Sequence, residues 1–94
     1  MLKEELLEKL TKDVQELLIK KNLDYGDSYF ALRSEFGKVA FLVRLGDKYG
    51  RLKVLAKREP EVVEESEEDT IKDIIGYCLL ELYYRKFVME DKNE

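Results

Sequence analysis

Read for the recurrence of apolar residues, the chain shows segments of helical period and none of strand period. The most apolar of them runs from Ser66 to about Met89, SEEDTIKDIIGYCLLELYYRKFVM. Ile71, Ile74, Ile75, Cys78 and Leu82 recur at helical spacing and predict a buried aliphatic stripe. Ser66 followed by Asp69 is a helix start signal, the Ser hydroxyl being placed to cap a free backbone N–H. Arg85 and Lys86 lie near the far end, where the helix dipole favours cations. On the opposite face fall Asp69, Asp73, Gly76, Tyr77, Leu80 and Tyr84. A solvated face has no need of Leu80 and two tyrosines, and a core face has no need of Asp73. The helix is therefore expected to bury both sides, with carboxylates inside the second.

Residues 2–21 predict a first helix with Leu6, Leu10, Val14, Leu17 and Leu18 as its apolar stripe, widened by Leu7. Asn22 is its expected stop. The stretch 22–29, NLDYGDSY, is the most loop-like: Gly26 permits a left-handed backbone, and Asp27 or Ser28 can cap a short helix from Ser28 to about Glu35. Residues 38–58 predict a middle helix burying Phe41, Leu42, Leu45, Tyr49, Leu52 and Leu55. Gly46 and Gly50 stand one turn apart within it. Each costs about 1 kcal/mol relative to Ala, which close helix packing or close approach of a ligand would offset. Pro60 is expected to end this helix, the acidic run from Glu59 to Asp69 to form a solvated connector, and the tail EDKNE to fray. The expectation is a single all-α domain, 1–94, of three main helices plus a short one.

Composition narrows the function classes. The chain has no His and one Cys, Cys78, which removes His-based catalysis, His or Cys-cluster metal ligation and any internal disulfide. Cys78 is expected in the core, as free Cys usually is. A net charge of −4 disfavours a general nucleic-acid binder. No run is apolar enough to span a membrane, and the amphipathic, acidic N-terminus is unlike a signal peptide, so a cytoplasmic protein is expected. A domain of 94 residues has a small core, which makes self-association to a dimer or higher oligomer an expectation too.

Three features carry candidate chemistry. Asp69 and Asp73, one turn apart, present carboxylates at a spacing that can hold Mg²⁺. Arg44, Asp47, Lys48 and Arg51 form a charged edge of the middle helix. It reads either as intrahelical ion pairs or as a phosphate-binding edge, in which Arg offers a bidentate fork and Lys a point charge. The Asp24-Tyr25-Gly26-Asp27-Ser28 loop has groups suited to a base or ribose, and Tyr77 faces the same side as Asp73. There is no Gly-rich phosphate loop and no hydrolase nucleophile motif.

The segments KNLDYGDSY, VRLGDKYGRLKVL and ESEEDTIKDIIGYCLLEL together resemble the phage and bacterial family called nucleotide modification associated domain, type 1, over roughly residues 20 to 82. Its members look like small relatives of MazG-type all-α NTP pyrophosphohydrolases. The resemblance implies a MazG-like bundle, often oligomeric, with a nucleotide-phosphate site between helices. It further implies Mg²⁺ held by acids on two successive helices, positioning a nucleoside triphosphate for hydrolysis to monophosphate and pyrophosphate. On that pattern Asp73 matches the closing acid of the second motif and Asp47 one acid of the first, with Asp69 as a further metal ligand; Asp73 and Asp47 are the implied catalytic pair. Arg44, Lys48 and Arg51 would clamp the phosphates. The pattern is thinned here, since Arg44 and Thr70 stand where acids are usual. Three readings follow: a Mg²⁺-dependent pyrophosphohydrolase, a non-catalytic nucleotide or nucleotide-signal binder, and a structural helical oligomer.

Overall fold

The computed structural model describes residues 1–58 and 63–89, with backbone alone for 63–66. The described residues are all-α: α1 Glu4–Tyr25, α2 Ser28–Phe36, α3 Val39–Ala56 and α4 Val63–Tyr83, continued by one π-helical turn Tyr84–Val88. α2 is the expected short helix. No described helix is long and apolar enough to cross a membrane. The proposed stop at Pro60, much of the acidic connector and the tail 90–94 lie outside the described residues.

Two boundaries differ from expectation. α1 does not stop at Asn22 but runs one turn further, to Tyr25, so the predicted loop shrinks to Gly26 and Asp27. Gly26 takes the left-handed conformation at φ 61°, and the N–H groups of Gly26 and Asp27 both turn back to the Asn22 carbonyl. Asp27 is left-handed as well, and its side chain caps nothing; it accepts a hydrogen bond from the Asn22 amide instead. α4 begins at Val63, so Ser66 lies inside the helix rather than at its cap.

α3 packs along α4, α2 leans on α3, and the second half of α1 crosses α4. Among the described residues Val14, Tyr29, Ala40, Leu55 and Tyr84 are the buried apolar ones, accompanied by Arg33, Thr70 and Glu81. The expectation that α4 buries both faces holds for the second face and fails for the aliphatic stripe. Thr70, Gly76, Glu81 and Tyr84 are buried and Asp73, Tyr77 and Leu80 half-buried, whereas Ile71, Ile75 and Leu82 of the expected core stripe are exposed. Cys78 is half-buried rather than in the core. Leu6, Leu7 and Leu10 of α1 and Leu42 and Tyr49 of α3, also expected inside, are exposed. The glycine expectation moves too: a Cβ at Gly46 or Gly50 would meet nothing within 4 Å, but one at Gly76 would lie 3.4 Å from Leu18 Cδ1. Gly76 is where α4 and α1 come close.

A buried ionic cluster joins α2 to the end of α4. Glu81 accepts hydrogen bonds from the Tyr29 hydroxyl at 2.6 Å, from Arg33 Nε at 3.0 Å and from Arg85 one turn on. Arg33 is only 1% exposed, and its guanidinium stacks on the Tyr84 ring at 4.7 Å. A buried charge needs this many partners to stay ionised. Burial alone would raise the Glu81 carboxyl, but Arg33, Tyr29 and Arg85 outweigh it and hold it below its ordinary range.

Candidate functional site

A cavity of about 290 Å³ opens where α1, α2, α3 and α4 meet. Its apolar wall comes from Val14, Leu17 and Leu18 of α1, Leu32 of α2 and Leu80 of α4, with Gly76 leaving room beside Leu18. Tyr25, Tyr29 and Tyr77 supply aromatic surface, the last two with ring centres 5.8 Å apart. The polar wall is cationic. Lys21, Arg44, Lys48 and Lys72 line it, against one carboxylate, Asp73.

Asp73 is held from two sides. Lys21 Nζ lies 2.6 Å from Oδ1 and Lys48 Nζ 3.1 Å from Oδ2, which ties α4 to α1 and α3 at once. Burial pushes the Asp73 carboxyl up, but hydrogen bonds from both lysines prevail and keep it below its ordinary value. The same bond raises Lys21 above its ordinary value. Asp73 is thus a carboxylate and Lys21 a cation near neutral pH. Arg44 and Lys72 face the cavity with no carboxylate partner among the described residues.

Of the residues singled out in the sequence, Asp73, Arg44, Lys48, Tyr25, Ser28 and Tyr77 come together around this cavity. Asp47, Arg51, Asp24, Asp27 and Asp69 do not line it, and all five are exposed. No ion pair forms within the Arg44–Asp47–Lys48–Arg51 set; Lys48 reaches across to α4 instead. The expected metal set of Asp47, Asp69 and Asp73 is not gathered: the described residues hold no group of three His, Cys, Asp or Glu able to bind an ion. Mg²⁺ takes several oxygen ligands, and the one carboxylate at the cavity already has both oxygens engaged by ammonium groups. The donor set here does not fit the ion.

Sequence reasoning missed Lys21, Lys72, Tyr29 and the supporting Arg33 and Glu81. Lys21 had a signal, as the first residue of the KNLDYGDS segment. Lys72, adjacent in sequence to Asp73, had none.

These features define a small all-α protein with a cation-lined cavity between its helices. Residues 21–83 match the family described as nucleotide modification associated domain 1, and the chain belongs to that family. No curated protein and no solved structure matches the chain.

Proposed function

We propose that the cavity binds a mononucleotide by its phosphate, using side-chain cations rather than a metal to offset the charge. The observation that carries this reading is the pair Arg44 and Lys72, two cations lining a half-open cavity with no described carboxylate to neutralise them. With Lys21 and Lys48 they give four positive charges against one negative. A fork-shaped guanidinium beside ammonium groups is the arrangement that recognises phosphate oxygens. The apolar and tyrosine wall suits a planar base. A volume of 290 Å³ lies at the small end of ligand pockets, roughly 300–1,000 Å³, which favours one mononucleotide. Family membership supports a nucleotide as the ligand.

In this reading Asp73 is the resident counter-anion of Lys21 and Lys48, whose place an incoming phosphate takes. A MazG-like pyrophosphohydrolase would instead need Asp47, Asp69 and Asp73 around Mg²⁺. Calorimetry with nucleoside mono-, di- and triphosphates in EDTA is the test. Metal-independent binding, lost in an Arg44→Met/Lys72→Met variant, is the expected result. No binding, or Mg²⁺-dependent pyrophosphate release abolished by Asp73→Ala, overturns it.

A further inference from the structure

Of the 22 residues of α1, Val14 is buried and Leu17, Leu18, Lys21 and Asn22 are half-buried; the rest are exposed. All five of these residues line the cavity. What α1 shields from water is therefore the wall of the site and not a core of its own. The other three helices are joined without it: α3 packs along α4, and Tyr29 and Arg33 of α2 bond Glu81 near the end of α4. α1 runs into this body through Gly26 and Asp27, whose backbones are both left-handed at φ 61° and 59°. Hinges consist of a few such positions at the ends of elements. Two contacts hold α1 down over α4. Leu18 lies where a Cβ on Gly76 would be 3.4 Å from its Cδ1, and Lys21 Nζ is 2.6 Å from Asp73 Oδ1. Among the described residues this is the ion pair that ties α1 to another helix.

We propose that α1 is a lid on the cavity, turning about Gly26 and Asp27, and that Lys21 is its catch. The Lys21 side chain is 40% exposed, so its bond to Asp73 is one that water and salt loosen. The lid opens when that bond breaks and Leu18 leaves Gly76, and the opening admits a ligand to the tyrosine and leucine wall. A phosphate that takes the place of Asp73 gives Lys21 an oxygen of the ligand instead. Arg44 and Lys48 of α3 and Lys72 of α4 hold the same phosphate, so the ligand itself then ties the lid to the body. This hand-over of the catch rests on the phosphate reading above; the hinge motion does not.

Double electron–electron resonance tests it on the full chain, with spin labels at Lys9→Cys and Asp47→Cys in a Cys78→Ser background. Lys9 and Asp47 are both exposed, on α1 and α3. Labelled chains are diluted in unlabelled chains, so that distances within one chain are read. Lys9 lies about 25 Å along α1 from the hinge, so a swing of about 20° carries its label roughly 9 Å. The expected result is a closed and an open distance, with Lys21→Met raising the open fraction severalfold and millimolar AMP in EDTA withdrawing it from the chain that keeps Lys21. Where Lys21→Met fails to fold, 1 M NaCl takes its place by screening the ion pair. A single distance indifferent to both Lys21→Met and salt overturns the lid. An open fraction that AMP leaves unchanged, although calorimetry shows AMP bound, overturns the hand-over of the catch alone. No calorimetric binding of AMP overturns the hand-over together with the phosphate reading, and the response to Lys21→Met still decides the hinge.

Discussion

The Tyr29 hydroxyl donates to Glu81 Oε1 at 2.6 Å, joining the first turn of α2 to the last turns of α4 across 52 residues of chain. Tyr29 lines the cavity and Glu81 does not, so the bond carries the rigidity of the buried cluster into the wall of the site. Removing the acceptor takes from the buried Arg33 the carboxylate that its Nε bonds. Glu81→Ala is therefore expected to cost about 3–5 kcal/mol. Tyr29→Phe, which removes one hydrogen bond to a charged group, should cost about 1.5–3 kcal/mol. Urea unfolding at fixed protein concentration measures both; near-equal losses would mean that the Arg33 charge is not the larger part of the cost.

The same cluster sets an acid limit. Glu81 and Asp73 both have folded-state values below their ordinary 4.5 and 3.8. Between the folded and unfolded values the unfolded chain binds more protons, so stability rises with pH there. Their contribution is present in full above about pH 4.5 and is lost as pH falls through the folded-state values. Thermal melts from pH 6 downwards should show Tm falling below this point. In Glu81→Gln the fall should be shallower, and an unchanged slope would separate Glu81 from the acid transition.

Helix period alone made the architecture legible: four helices in the right order, with α2 recognised as the short one from Gly26 and the polar residues around it. What misled was the assumption that the greasiest stripe of a helix faces its own core. For α4 the two faces were separated correctly and Asp73 was placed on a semi-buried one, but which face packs against α3 and α1 depends on tertiary partners. The site was half legible for the same reason. Asp73 and Tyr77 on α4, and Arg44 and Lys48 on the charged edge of α3, were found by spacing. Lys21 escaped because it reaches Asp73 only through the fold, 52 residues away. Arg33 and Glu81 escaped because charged residues spaced along amphipathic helices look like solvent-facing ones until the chain closes over them.

Glycine substitutions separate backbone cost from packing need. Gly46 and Gly50 lie in the interior of α3 with free space where a Cβ would go. Gly46→Ala and Gly50→Ala should each stabilise the chain by about 0.5–1 kcal/mol, by helix propensity alone. Gly76→Val should do the opposite, pushing Leu18 away and narrowing the cavity, because even a single Cβ there is already in contact. Chemical denaturation ranks the three. A destabilising Gly50→Ala would reveal a partner lying against α3 that the single chain does not contain.

The role of Asp73 gives the sharpest division between cation-based and metal-based binding. Both of its oxygens are occupied by Lys21 and Lys48, so a phosphate reaching those ammonium groups must first displace it. Each partly exposed ion pair is worth about 0.2–1 kcal/mol, so freeing two lysines amounts to roughly a few-fold to thirtyfold in affinity. Asp73→Asn should then tighten binding of a nucleoside monophosphate in EDTA by about tenfold. A general change in field would tighten it as well, and Asp69→Asn controls for that. Asp69 lies one turn away on the same face, is exposed, and bonds neither lysine. Displacement predicts a gain confined to Asp73→Asn, and a field effect predicts similar gains for both. If Asp73 held a metal, the same substitution would weaken binding, and only in the presence of Mg²⁺. The sign of one affinity change, read by calorimetry with and without the ion, therefore decides whether this carboxylate competes with the phosphate or recruits it.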